Sequence, residues 1–128
     1  MTKNINIAIV GSRKASFREH YNFIESTCSL IVNSYILNGY EVTIVSGGAS
    51  GVDKLAERFA LSHKYKRLIY NANWSKYGKS AGPIRNKEII ENSNLVIAFP
   101  DKNSVGTYDT ITRAKTKKIP VHIYEITI

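Results

Sequence analysis

Glu41-Val42-Thr43-Ile44-Val45-Ser46-Gly47-Gly48-Ala49-Ser50-Gly51-Val52-Asp53 decides the fold. The apolar run from Glu41 to Val45 reads as a buried strand that stops at Ser46-Gly47-Gly48. Near Ser50 or Gly51 it gives way to an amphipathic helix whose stripe is Val52, Leu55, Ala56, Phe59 and Ala60, ending around His63. A strand, a glycine turn and a helix N-terminus can together make an anion site. Glycine lets the backbone approach a ligand without a Cβ in the way, and the first helical turn offers unpaired N–H groups and the positive end of the macrodipole. A phosphate is the natural guest, and Ser46 and Ser50 can add hydroxyls. A plain βα turn would explain Gly47-Gly48 alone, but similar turns recur elsewhere in the chain.

Upstream, Ile5-Asn6-Ile7-Ala8-Ile9-Val10 is apolar enough for a central strand and ends at Gly11-Ser12-Arg13. Ser16-Phe17-Arg18-Glu19 has the capping-box pattern. Phe17, Tyr21, Ile24, Cys28, Ile31 and Tyr35 recur at steps of four and three, which predicts one helix face running to about Leu37, with Asn38-Gly39 as the stop. Downstream, Arg67 to Tyr70 is a short strand. Asn71 to Gly82 lacks a period and reads as a long functional loop carrying Trp74, Lys76, Tyr77, Lys79 and Ser80. Pro83 suits the first position of a third helix with Ile84, Arg85, Asn86, Ile89 and Ile90. Asn94 to Phe99 is the fourth strand and ends at Pro100. After a loop from Asp101 to Val105, Gly106-Thr107 opens a fourth helix with Tyr108, Ile111 and Ala114 facing inward, and Pro120 starts a last strand, Val121 to Ile126.

The alternation of strands and helices predicts an α/β fold: a Rossmann-like three-layer sandwich with a mainly parallel five-stranded sheet in the order 3-2-1-4-5. The 128 residues, 43% of them hydrophobic, fit a single domain spanning 1–128. Three turns then converge at the carboxyl ends of strands one, two and four, where open α/β sheets bind ligands. No apolar run approaches the ~20 residues of a membrane span. Met1-Thr2-Lys3-Asn4 leads directly into a strand, without a signal peptide. Cys28 is the only cysteine, so no internal disulfide can form. A cytoplasmic protein with no membrane partner is expected. The net charge of +8 suits an anionic partner, although the basic residues form no long run and a solvated face would also account for them. His20, His63 and His122 show no ligand spacing, so neither a metal site nor a cofactor is expected.

Gly11-Ser12-Arg13, the turn from Ser46 to Asp53, Trp74…Gly78…Ala81-Gly82-Pro83-Ile84-Arg85-Asn86 and Phe99-Pro100…Gly106-Thr107-Tyr108-Asp109 follow one another over nearly the whole chain. Together they resemble the SLOG superfamily of Rossmann-like domains, and within it the small stand-alone YspA/YpsA-related members. That superfamily is related to LOG-type phosphoribohydrolases and to the DNA-processing protein of natural transformation. The resemblance implies a site for nucleotides or nucleotide-derived ligands. LOG-type enzymes cleave the base from a nucleoside 5′-monophosphate, using a PGGxGTxxE motif and an upstream arginine. Arg85 fits that arginine, but Thr110 occupies the glutamate position and the nearest acid, Asp109, lies one residue earlier. One residue turns a helical side chain by roughly 100°. The PGG is replaced by Pro100-Asp101-Lys102.

The candidate ligand-binding residues are therefore Gly11, Ser12, Arg13, Ser46, Gly47, Gly48, Ser50, Asp53, Trp74, Arg85, Asn86, Pro100, Gly106 and Thr107. Phosphates would sit on Gly47-Gly48 and Gly106-Thr107, helped by the forked guanidinium groups of Arg13 and Arg85. Asp53 either completes a capping box with Ser50 or meets a ribose hydroxyl. Trp74 either packs or stacks on a base. The leading expectation is a module that binds, and by binding sequesters, a phosphorylated nucleotide or an ADP-ribose-like signal. The second is a nucleotide N-glycosidase using Arg85 and Asp109 as catalytic residues. The third is a single-strand nucleic-acid binder, ranked last because no stripe of basic residues interleaved with aromatics is visible. Phe23, Leu30, Val32 and Ile36 lie outside the main stripe of the first helix and are candidates for a homodimer or larger homo-oligomer interface.

Overall fold

The computed structural model describes residues 3–128. Met1 and Thr2, on which the expected absence of a signal peptide partly rests, lie outside them. Five strands, β1 (Lys3–Gly11), β2 (Tyr40–Ser46), β3 (Lys66–Ile69), β4 (Leu95–Phe99) and β5 (Val121–Ile123), form one all-parallel sheet in the order β3-β2-β1-β4-β5. Five α-helices connect and cover them: α1 (Phe17–Leu37), α2 (Val52–Ser62), α3 (Trp74–Tyr77), α4 (Ala81–Glu91) and α5 (Val105–Thr116). The predicted strand order is the observed one.

The sheet is apolar on both faces because β1 sends alternate side chains to opposite sides. Ile5, Ile7 and Ile9 join Ile24, Cys28 and Val32 of α1 and Val52, Ala56 and Phe59 of α2 in one core. Ala8 and Val10 join Val45, Ile89 and Ile90 of α4, and Ile111 and Ala114 of α5, in the other. This is the three-layer sandwich. Its central strand, β1, pairs with both β2 and β4, so the strand order reverses beside it. Burial in the first core also pushes the Cys28 thiol well above the ordinary range. Among the described residues no helix is long and apolar enough to cross a membrane.

Several elements differ in detail from the sequence reading. The boundaries of α1 agree with it: Ser16 Oγ accepts from Glu19 N at 3.1 Å, and Asn38 caps the other end before Gly39 at φ +84°. The buried line of α1, however, is His20, Ile24, Cys28 and Val32. Phe17 lies outside it, stacked on Tyr21 with centroids 4.7 Å apart and with the Arg58 guanidinium 4.0 Å above its ring. His20 belongs inside because both ring nitrogens are used: Nδ1 accepts from Ser16 N at 2.9 Å and Nε2 faces Thr127 O at 2.9 Å. Of the interface candidates, Val32 is fully buried, whereas Phe23, Leu30 and Ile36 are exposed. Residues 71–82 are not an irregular loop. Asn73 caps the single turn of α3, and a 3₁₀ turn over Gly78–Ser80 runs into α4. Pro83 is thus the third residue of α4, still in the first turn, where a missing N–H costs nothing. On α5, Thr107, Thr110, Ile111 and Ala114 face inward and Tyr108 is exposed. The last strand ends at Ile123, although Tyr124 N and Ile126 N still donate to Ala98 O and Pro100 O.

Candidate functional site

The loops after β1, β2 and β4 are tied together by hydrogen bonds at the carboxyl edge of the sheet. Ser12 N donates to Phe99 O at 3.0 Å, Val52 N to Ser12 O at 2.9 Å, and Ser50 Oγ to Arg13 O at 3.3 Å. This packing accounts for four of the five glycines in these loops and helix starts, Gly106 being the exception. A Cβ on Gly51 (φ +79°) would land on the Ser12 carbonyl oxygen, and one on Gly48 (φ +70°) on Asn71 Oδ1. A Cβ on Gly11 would meet Phe99 O. At Gly47 it would sit 2.7 Å from Arg85 Nη1 and 2.9 Å from Asp53 Oδ2. Only at Gly106, among these five, would a Cβ meet nothing within 4 Å.

The serines are also engaged within the chain. Ser46 Oγ donates to Glu57 Oε2 at 2.9 Å and accepts from Gly48 N at 3.2 Å. Ser12 Oγ donates to Asp101 Oδ2, and Asp101 Oδ1 accepts from Asn103 N at 2.6 Å. These donors hold the Asp101 carboxyl below its ordinary range. Asp53 makes no capping box with Ser50. Instead its Oδ2 accepts from Ala49 N at 3.1 Å, while Ser50 turns to Arg13.

Two cavities open at this edge. One, of about 410 Å³, is lined by Gly11, Arg13, Lys14, Asp53, Arg85, Asn86, Asp101, Gly106 and Thr107, among others. The second, of about 360 Å³, is lined by Arg13, Gly47, Gly48, Ala49, Ser50, Asn71, Ala72, Trp74 and Arg85. Arg13, Ala49 and Arg85 belong to both and form the wall between them. Arg85 is only 7% exposed. Its Nη1 donates to Gly47 O at 2.6 Å and its Nε to Asn86 Oδ1 at 3.0 Å, so two of its three nitrogens hold the side chain in place. Neither Arg85 nor Arg13 belongs to an ion pair among the described residues. Burial lowers the pKa of Arg85, opposed by the charge of Asp53. Burial also pushes Asp53 up to about 6, against the pull of Ala49 N–H and Arg85.

The residues expected at the site divide accordingly. Arg13, Trp74, Arg85, Asn86, Gly106 and Thr107 line the cavities. Ser12, Ser46 and Pro100 line neither, and the Pro100 carbonyl is occupied by Ile126 N. Of the expected catalytic pair, Asp109 lines neither cavity: its Oδ2 accepts from Asn86 Nδ2 at 3.0 Å and from Arg113 Nε at 2.9 Å.

The basic and aromatic interleaving that the sequence reading did not find is present. Trp74 is 50% exposed, and the Arg13 guanidinium lies 5.7 Å from its ring centroid. Lys76 Nζ lies 5.1 Å from the Tyr77 ring, and Lys79 follows in the 3₁₀ turn. Its signal was the alternation Trp74-Ser75-Lys76-Tyr77-Gly78-Lys79, which looks like loop until α3 is seen. Asn71, Ala72 and Asp101 carry no local pattern that would have picked them out.

Residues 1–116 match the family described as DNA recombination-mediator protein A. Gene 61 protein of Mycobacterium phage D29 is 34% identical over 88 residues, which span 64% of this chain and 70% of that protein. DNA processing protein A from Helicobacter pylori, whose structure is described for its single-stranded DNA binding mode, superposes with a TM-score of 0.68 at 21% identity, over 93% of this chain and 64% of that one. DNA processing protein A from Streptococcus pneumoniae gives a TM-score of 0.76 at 22% identity, over 97% of this chain and 51% of that one. At such identities these two likenesses establish the fold, and the chain spans only part of either protein's length. The family match corrects the assignment to the SLOG superfamily and its YspA/YpsA-related members. The four motif blocks all fall within the matched residues, and they record a loop geometry that does not separate one family of this fold from another. The expectation of an ADP-ribose-like signal or LOG-like chemistry, with nucleic acid ranked last, is overturned with it.

Proposed function

The chain belongs to the DNA recombination-mediator protein A family, and we propose on that premise that it binds single-stranded DNA along the carboxyl edge of its sheet. The observation that carries this reading is the exposed Trp74 ring beside the Arg13 guanidinium, at the mouth of a cavity walled by Arg85. Stacking on an aromatic face is worth about 1–3 kcal/mol per base and is tolerant of sequence. Arginine presents a planar fork that fits phosphate oxygens. Both parts are in place here, and among the described residues neither arginine is in an ion pair with an acid. A strand would lay one base on Trp74 and the adjoining phosphate over Arg13 and Arg85, while Lys76 and Lys79 follow its backbone. The description of the Helicobacter pylori relative as a single-stranded DNA binder supports the same reading.

Trp74 is the only tryptophan, so its own fluorescence tests the proposal. Titration with oligothymidine at low salt is expected to quench that emission, and Trp74→Phe to retain most of the affinity that Trp74→Ala loses. Binding that leaves the emission unchanged and is indifferent to Trp74→Ala would place the strand elsewhere. No binding at low salt would end the proposal.

A further inference from the structure

Among the described residues, Asp53 is the acidic side chain whose charge bears on Arg85, and it lines the first of the two cavities. It is 7% exposed, as is Arg85. Both side chains flank the α-carbon of Gly47, with Arg85 Nη1 and Asp53 Oδ2 each within 3 Å of where a Cβ would be. They are close enough to influence each other, yet they form no ion pair. Asp53 Oδ2 is instead fixed to Ala49 N–H in the loop after β2. The pair is thus held by backbone groups on both sides, Arg85 by Gly47 O and Asp53 by Ala49 N. An anion entering the site approaches a guanidinium whose charge is already partly answered by a buried carboxylate.

We propose that Asp53 is a resident counter-ion that acts through Arg85 to weaken the strand's hold, so that neutralising Asp53 tightens single-stranded DNA binding. This rests on the strand-binding reading above and concerns the regulation of the same site. Asp53 is a positioning residue with no contact to the strand. Two like charges, the carboxylate and a phosphate, compete for one guanidinium in a poorly solvated wall, where the interaction is screened far less than at the surface. The charged groups facing Asp53 are Arg85 from α4, Glu57 from its own helix and Arg13 from the loop after β1. Glu57 disfavours ionisation of Asp53 and the two arginines favour it. Its pKa near 6 places the change of charge within reach of mild acid. None of the three histidines lines either cavity.

The experiment compares oligothymidine binding by the full chain and by Asp53→Asn between about pH 7.5 and about pH 5, a range in which neither thymine nor the phosphodiester titrates. Wild type is expected to bind about tenfold more tightly at the lower pH, the equivalent of one pKa unit of coupling. Asp53→Asn is expected to bind about as tightly at both ends as wild type does in acid. Asparagine can still accept from Ala49 N–H, and circular dichroism checks that the variant folds. If it does not fold, Arg85→Gln replaces it: binding should weaken and the pH step should vanish with the group through which Asp53 acts. A pH step that persists unchanged in Asp53→Asn or Arg85→Gln, or its absence from wild type, overturns the counter-ion role and leaves strand binding intact. No binding by any form at any pH overturns both readings.

Discussion

A side chain at Gly51 would collide with the Ser12 carbonyl in a backbone conformation (φ +79°, ψ −132°) that non-glycine residues avoid. Gly51→Ala is therefore expected to cost about 3 kcal/mol or more in urea unfolding, since neither the backbone oxygen nor the loop can move freely. Gly106→Ala has open space and helical geometry around it, and is expected to be neutral or to stabilise by up to about 1 kcal/mol. The two glycines look alike in the sequence. Their difference depends on which distant backbone packs against each, which no local pattern records. Arg13 was legible from its place after a strand beside the reversal of strand order, and Arg85 from the resemblance that has an arginine at the start of that helix. The role of Asp53 was not, because its partner is 32 residues away by number and adjacent only in the fold. The raised pKa of Asp53 also bears on stability. The folded chain holds the proton more tightly than the unfolded one, so this contribution is fully present below the ordinary carboxylate value near 3.8 and is lost as pH rises through about 6. Asp53→Asn should accordingly be more stable than wild type at neutral pH, by on the order of 3 kcal/mol at most, with the gap closing near pH 4. Thermal unfolding across that range checks it, and a constant gap would mean that the carboxyl titrates normally.

At the scale of elements, the signals that worked were caps and stops. Ser16 with Glu19 at one end and Asn38-Gly39 at the other fix α1 within the chain itself, and its ends were read correctly. The face it buries was read in part: Ile24 and Cys28 are buried and Tyr21, Ile31 and Tyr35 pack against the core, but His20 and Val32 were missed and Phe17 is exposed. A large aromatic at helical spacing looks like core wherever it packs, and here Phe17 stacks on Tyr21 beneath Arg58. The segment from 71 to 82 failed for the opposite reason: four residues of α3 are too few to show a period. What sets α3 is Asn73, whose Oδ1 accepts from Lys76 N at 3.2 Å and from Ser75 Oγ at 3.0 Å. Asn73→Ala should therefore loosen α3 by about 1 kcal/mol and leave the global unfolding transition unchanged, because both apolar cores lie outside it. Faster amide exchange at Lys76 and Tyr77, with weaker strand binding, would be the signature. Global destabilisation would show that α3 contributes to the core after all.

At the scale of the molecule, the parallel sheet places two different basic surfaces at its two ends. Lys3 and Lys66 begin strands at the amino edge, where Lys3 lies over Tyr40 and Lys66 pairs with Glu41 at 2.8 Å. Arg13 and Arg85 stand with Trp74 at the carboxyl edge, where the strand order reverses, and Lys76 and Lys79 follow Trp74 along α3 and the 3₁₀ turn after it. A net charge of +8 would attract a polyanion to either end, so charge alone says nothing about which end binds. Counterion release does. Each phosphate neutralised on a single strand contributes about −0.7 to the slope of log affinity against log salt. Lys76→Ala with Lys79→Ala, and Lys3→Ala with Lys66→Ala, remove the same charge. Only the first pair is expected to lessen the slope, by about 1.4 if each lysine meets a phosphate. The second pair should lower affinity slightly through the long-range field and leave the slope as it was. Equal changes for both pairs would mean that the strand is held by overall charge rather than by the edge where Trp74 and the two arginines meet.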